Sequence, residues 1–106
     1  MISKEVFEMQ AQLCQAMSNA ARVEIVHVLQ DGPQNVGSLA EVVGLGRANL
    51  SRHLAILRNI GLVTAQRQGQ ENYYQLANPK IVDICNLMRQ VLSEQISHQV
   101  EVAKGL

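Results

Sequence analysis

Three groups of residues have types and spacings that could do chemistry. The first is Arg47-Ala48-Asn49 followed by Ser51-Arg52-His53, with Arg58, Arg67, Gln68 and Gln70 further on. Guanidinium groups neutralise phosphates and fork onto guanine, carboxamides fit adenine, and hydroxyls serve either. The second is a pair of thiols, Cys14 and Cys85, able to bind a metalloid or to be oxidised. The third comprises Asp83-Ile84-Cys85 and His98-Gln99-Val100-Glu101, which carry metal-ligand types near the C-terminus. Each group also has a plain reading. Exposed arginines often form a solvated face, free cysteines usually pack as small hydrophobes, and His27 and His98 read as surface. No Ser/His/Asp or Cys/His grouping and no phosphate-cradling glycine motif can be assembled, so an enzyme is not expected.

The distribution of charge favours the first group. The 106 residues balance nine basic against nine acidic side chains. Residues 42–70, however, hold Arg47, Arg52, Arg58 and Arg67 with no acid, a local net of +4. The flanking segments are acidic. A basic middle can neutralise phosphates locally although the total is zero. Phe7, Tyr73 and Tyr74 are the only aromatics, too few for a platform that stacks single-stranded bases.

Composition bounds the scaffold. At 47% apolar and 17% charged, the chain is globular, and its length fits one domain over residues 1–106. A monomer this small buries only about two-thirds of its unfolded surface, so a core shared in a dimer would help it. No apolar run approaches the roughly 20 residues of a membrane span. The N-terminus lacks a signal peptide's apolar core. With two cysteines there is no disulfide framework, and a reducing cytoplasm is the expected compartment.

The elements that must position these residues follow from periodicity. Val6, Met9, Leu13 and Met17 form one helical stripe, with Phe7 and Cys14 beside it. Ser18-Asn19 offers an N-cap for a largely buried helix over Arg22 to Gln30, which Asp31-Gly32-Pro33 ends. A short helix over Val36 to Val43 directs Leu39, Val42 and Val43 inward. Gly44-Leu45-Gly46 interrupts it, and a helix over Arg47 to Asn59 buries Leu50, Leu54 and Leu57. Two short helices joined by a Gly-containing turn, the second one basic, read as a helix-turn-helix. Leu62–Arg67 and Glu71–Leu76 are strand-like runs around a Gln68-Gly69-Gln70 loop. Asn78-Pro79 starts a last helix whose stripe is Ile81, Ile84, Cys85, Met88, Val91, Leu92 and Ile96. The fold is therefore mainly α with a small β-hairpin: a winged helix-turn-helix in the order α-α-α-α(recognition)-β-β-α. Residues 1–17 and 79–102 keep apolar stripes for a dimer interface.

Several of these segments resemble the ArsR/SmtB repressors. They are Ala16-Met17-Ser18-Asn19-Ala20-Ala21-Arg22, Val36-Gly37-Ser38-Leu39-Ala40, Leu45-Gly46-Arg47-Ala48-Asn49-Leu50-Ser51-Arg52-His53-Leu54, Leu57-Arg58-Asn59-Ile60-Gly61-Leu62-Val63 and Tyr73-Tyr74-Gln75-Leu76. The resemblance implies a homodimeric transcriptional repressor on double-stranded operator DNA, released by an effector and requiring no cofactor. It places Arg47, Ala48, Asn49, Ser51, Arg52 and His53 at DNA on the recognition helix, and Arg67, Gln68 and Gln70 at the wing. Gly46 departs from the family's usual Ser N-cap. Of the family's metal sites, the paired-cysteine site falls on Asn35 and Gly37, neither a useful ligand. The other departs in spacing, since the 13 residues from Cys85 to His98 turn His98 roughly 220° away. Cys14 and Cys85 remain as a candidate effector site for a metalloid, sulfide or oxidant, neither lying where the family's cysteine switches are found. Two other readings stay open: a winged-helix module that binds a protein, and a DNA binder with no small-molecule sensing.

Overall fold

Local capping sets where each helix begins. In the computed structural model, which describes residues 1–106, Ser3 caps α1 (Lys4–Ala16) by accepting from the Val6 N–H. Asn19 caps α2 (Ala20–Leu29) through the Arg22 N–H at 3.2 Å. Asn35 caps α3 (Val36–Val43) through Ser38 N–H at 2.8 Å. The recognition helix α4 (Arg47–Asn59) starts at Gly46 with no side-chain cap. The Asn78 side chain accepts from Lys80 N–H as α5 (Lys80–Lys104) begins. Each cap satisfies a backbone donor that a helix start leaves unpaired.

Glycine sets two of the stops. Gly44, at φ 70, lets the chain turn back so that Leu45 N–H reaches the Ala40 carbonyl. Gly61, at φ 84, closes α4 the same way. Its N–H donates to Arg58 and Leu62 N–H donates to Leu57, both carbonyls otherwise orphaned. Leu57 and Leu62 are both buried, so the stop also feeds the core.

That core holds α2, α3, α4 and the sheet together. Ile25, Val26 and Leu29 of α2, Leu39 of α3, Leu50, Leu54 and Leu57 of α4, and Leu62 and Val63 beyond it belong to one buried cluster. The 50-54-57 spacing is the i, i+4, i+7 stripe of one helical face. Strands β2 (Val63–Gln68) and β3 (Glu71–Leu76) pair antiparallel from Val63↔Leu76 to Gln68↔Glu71.

Three details differ from the sequence expectation. A third strand, β1 (Gln34–Asn35), pairs with Tyr74 and Tyr73 on the far side of β3, giving the order β1-β3-β2. Gln68 belongs to β2 and not to the loop. The hairpin turns on Gly69 and Gln70 alone, with positive φ only at Gly69, as a II′ turn requires. Val42 is 58% exposed, because the narrow contact of so short a helix is filled by Leu39, with Val43 half-buried.

The outer helices behave otherwise. Of the 13 residues of α1 only Ala16 is buried, and of the 25 of α5 only Cys85. Val6, Phe7, Met9 and Leu13 on α1 are exposed, as are Ile84, Met88, Val91, Leu92 and Ile96 on α5. The radius of gyration is 16.8 Å, against about 13 Å for a compact chain of this length. No helix is long and apolar enough to cross a membrane.

Candidate nucleic-acid interface

Arg47, Ala48, Asn49, Ser51 and Arg52 are all exposed along the N-terminal half of α4, opposite the buried Leu50 and Leu54. The leucine stripe fixes the rotation of the helix, so the polar residues between its members must face solvent. Because Gly46 gives no side-chain cap, the first-turn amides of α4 also remain open to an outside acceptor. Arg52 donates to Asn49 Oδ1, which holds the two side chains together one turn apart.

The start of α4 meets the start of α3 and the wing. Asn35, Val36, Gly37, Arg47, Gln70, Glu71 and Asn72 line one cleft of about 190 Å³. Arg47 Nη2 stands 2.9 Å from the position a Cβ on residue 37 would occupy, so Gly37 leaves room for the guanidinium to lie there. Asn35 links the three parts. Its Oδ1 caps α3, its Nδ2 donates to Glu71 Oε2 on β3 at 3.2 Å, and Glu71 also accepts from the Tyr73 hydroxyl. At the wing tip Arg67 Nε donates to the Gly69 carbonyl, while Gln68 and Gln70 are exposed.

The electrostatics of this surface are one-sided. The only ion pair in the chain is Lys104–Glu101, near the far end of α5. Arg47, Arg52, Arg58 and Arg67 therefore have no carboxylate within 4.0 Å. None of the four is committed to an ion pair, although Glu71 shares the cleft of Arg47, and such free guanidinium groups suit a phosphate-binding face.

His53 departs from the outward role expected of it. Its Nδ1 accepts from Arg22 Nη1 at 3.2 Å, because Arg22 reaches across from α2 after donating Nε–H to the Ala16 carbonyl at 2.6 Å. Desolvation by burial, then the positive charges of Arg22 and Arg52, hold the His53 pKa below its usual value. The neutral ring that results keeps Nδ1 an acceptor and puts its proton on Nε2. Arg22 thus ties the end of α1 to the middle of α4.

Sequence reasoning missed Arg22, Asn35 and Gly37. Arg22 acts over 31 residues and left no local trace. Gly37 could have been noticed, since glycine in the first turn of a helix marks a close approach.

The two thiols lie apart in their surroundings. Cys14 is exposed on α1, and α1 packs extensively on no other element. Cys85 is 8% exposed and lines a cavity of about 300 Å³ between α2 and α5 that does not include Cys14. No three His, Cys, Asp or Glu side chains cluster as a metal site.

Comparison with known proteins bears on this surface. Residues 19–65 match the family model described as "bacterial regulatory protein, arsR family". Over its full length the chain is 33% identical to an uncharacterized HTH-type transcriptional regulator of Mycobacterium tuberculosis, Rv0081, covering 94% of that protein. The crystal structure of Rv0081 superimposes with a TM-score of 0.82, at 32% identity, covering 92% of this chain and 99% of that one. A homodimeric winged helix-turn-helix DNA-binding domain from Mycobacterium bovis superimposes with a TM-score of 0.80, at 27% identity, covering 92% of this chain and 93% of that one. A biofilm growth-associated repressor of Xylella fastidiosa is 29% identical over 85 residues, 80% of this chain and 75% of that one.

Proposed function

The chain belongs to the ArsR family of bacterial regulatory proteins, and on that premise we propose that it is a homodimeric transcriptional repressor that leaves its operator when an effector binds. The observation that carries this reading is the exposed, acid-free helix α4 beside the wing, with Arg47, Arg52 and Arg58 on the helix and Arg67 on β2 all outside any ion pair.

Each part of that face has a role. The N-terminal half of α4 enters the major groove, where Arg47 forks onto a guanine and Asn49 pairs with an adenine. Ala48 allows close approach, Ser51 and Arg52 divide between base edges and phosphates, and His53 braces α4 from behind through its bond to Arg22. Arg67, Gln68 and Gln70 meet the flanking backbone from the wing. Residues 1–17 and 79–102 join two copies through their exposed apolar stripes. Their packing sets the two recognition helices about 34 Å apart, one turn of DNA. The M. bovis neighbour is described as a homodimeric DNA-binding domain and the X. fastidiosa relative as a repressor, which supports the same assignment.

Release is assigned to a thiol-reactive effector, a metalloid, a sulfide species or an oxidant, acting on the cysteines. The exposed Cys14 thiol is open to such reagents, and Cys85 lies where α5 meets α2. A reagent that moves either helix shifts the spacing of the recognition helices.

The test is fluorescence anisotropy of the reduced protein on duplex DNA from upstream of its own gene, challenged with arsenite, a polysulfide and a mild oxidant. Nanomolar binding at physiological salt, lost on a scrambled duplex, is expected. Equal affinity for both duplexes would overturn sequence-specific repression. Retention of the complex under all three reagents would overturn thiol-based release.

A further inference from the structure

One cavity outside the DNA face gathers soft ligands. We propose that the cavity between α2 and α5 binds a monovalent soft metal ion, Cu(I), through the Cys85 thiolate and the thioethers of Met17 and Met88. The binding itself stands on the cavity; its regulatory consequence rests on the effector-released repressor described above.

The lining of this cavity is Met17, Val23, Cys85, Met88, Arg89 and Leu92. Two of the chain's four methionines and its one buried cysteine therefore face a single space of about 300 Å³. Cys85 and Met88 are three residues apart on α5 and so share a helical face. Met17 comes from the corner between α1 and α2, on the opposite wall. A methionine side chain has three rotatable bonds, which lets each sulfur turn toward a metal. The Cys85 side chain makes no hydrogen bond, although it is more than nine-tenths buried.

The donor set selects the ion. Thiolate and thioether sulfur suit Cu(I), whereas imidazole and carboxylate suit harder or borderline ions. No histidine, aspartate or glutamate lines the cavity, and its only charged residue is the cation Arg89. Charge selects further. As Cu(I) binds, Cys85 releases its proton to water and the new Cu–S pair is neutral, with no change in oxidation state. Met88 and Leu92 are more than half exposed, so the site opens on the apolar stripe of α5, and its apolar lining favours a neutral complex over one that keeps a net positive charge. Arg89, at the edge of the site, donates to Asn86 and has no carboxylate partner.

The position of the cavity connects it to DNA. One wall is α5, and the other is α2, which packs directly against the recognition helix α4. Drawing Met17 and Met88 onto one ion moves α5 against α2 and so changes how α4 is presented.

The decisive experiment titrates the reduced, full-length protein with Cu(I) under anaerobic conditions, in competition with the chromophoric chelator bathocuproine disulfonate. One equivalent per chain should be retained, with a sulfur-to-copper charge-transfer band in the ultraviolet. Met17→Leu and Met88→Leu conserve volume, so they keep the fold while each lowers Cu(I) affinity at least about tenfold. Cys85→Ser should abolish retention, Cys14→Ser should leave it unchanged, and Zn(II) should not compete. Complete surrender of Cu(I) to the chelator would overturn the site. So would leucine variants that bind like the parent, or a Cys14→Ser variant as defective as Cys85→Ser. Operator anisotropy is read separately. A copper-loaded protein that stays on its operator refutes the coupling to release, and an apo protein indifferent to DNA refutes the repressor reading. In both cases the chelator titration still decides the site.

Discussion

The segment from Ile25 to Val63 and the two outer helices dispose of their apolar residues in opposite ways. The first contains nine of the eleven buried residues, drawn from α2, α3, α4, the turn after α4 and β2. The outer helices α1 and α5 bury one residue each and leave long apolar stripes in solvent. One region is finished within the chain and the other is not. In the winged-helix body the hydrophobic stripe and the functional face are two sides of one helix, so folding itself presents Arg47 to Arg52. In the arms nothing fixes the stripe until a second copy covers it. Recognition and assembly are thus separable in stability as well as in space.

The strongest way to break that contrast is one charge in an arm set against one cavity in the body. Ile96→Glu places a carboxylate in the α5 stripe, away from the Cys85 cavity. It should convert the dimer to a folded monomer by sedimentation velocity, with helical circular dichroism largely kept. Operator affinity should fall by on the order of 100-fold as the second half-site is lost. Leu54→Ala removes a side chain that is 1% exposed and should cost about 3 kcal/mol of unfolding free energy. That loss should be the same at high and low protein concentration, whereas the effect of Ile96→Glu depends on concentration. Unfolding of Ile96→Glu at all concentrations would show that the body is not self-sufficient.

A finer division runs within the DNA face. Arg47→Ala should cost roughly 1–3 kcal/mol on the operator and little on unrelated duplex, since it removes a base contact. Arg67→Ala should weaken binding to all duplexes alike and flatten the log–log salt slope by about 0.9. Gly37→Ala offers a control that leaves every arginine in place. The added Cβ would meet Arg47 Nη2 at 2.9 Å and push the guanidinium out of the α3–wing cleft. Equal loss of specificity for Arg47→Ala and Arg67→Ala would merge helix and wing into a single electrostatic surface.

Between body and arm stands the Arg22–His53 contact, and pH tests it. The folded pKa of His53 lies below its usual value near 6.5, chiefly through desolvation and then through Arg22 and Arg52. As pH falls, the unfolded chain takes up the proton first. The native state therefore holds this contribution fully above about pH 6.5 and loses it from there down to the lower folded pKa. A thermal midpoint that drops between pH 7.5 and 5.5 is expected. His53→Gln, which keeps an acceptor for Arg22 but does not titrate, should shrink that drop. An identical decline in the variant would assign the effect to other groups.

The same contrast explains how much could be read before folding. The bounds of α3 and α4 and the inward Leu50, Leu54 and Leu57 followed from local periodicity and a glycine stop. Residues whose roles depend on distant neighbours did not. Strand β1 is two residues long, too short to show alternation, and exists only because Tyr73 and Tyr74 pair with it. Val42 and Val43 are adjacent in a two-turn helix, so period alone cannot say which one faces in. Gln68 looked like a turn residue until the φ of Gly69 fixed a two-residue hairpin. Arg22 and His53 meet only after α2 and α4 have packed. The stripes of α1 and α5 were legible as apolar faces, with Cys85 and Met88 together on that of α5, but Met17 comes from the α1–α2 corner, which periodicity does not bring to them.

The smallest expected effect tests whether the open start of α4 matters to stability or to recognition. Gly46 sits at φ −65 and ψ 151, an extended conformation any residue adopts, and a Cβ there would meet nothing within 4 Å. Gly46→Ser should therefore add a side-chain cap to an exposed amide at a gain of only a few tenths of a kcal/mol. In a domain of this size that is a rise of about 1–3 °C in thermal midpoint. If the uncapped amides serve only the fold, operator affinity should not change. If they help bind a phosphate, the serine competes for them, and affinity should drop while stability rises. Opposite signs in the two measurements would extend the DNA face from the side chains of α4 to its backbone.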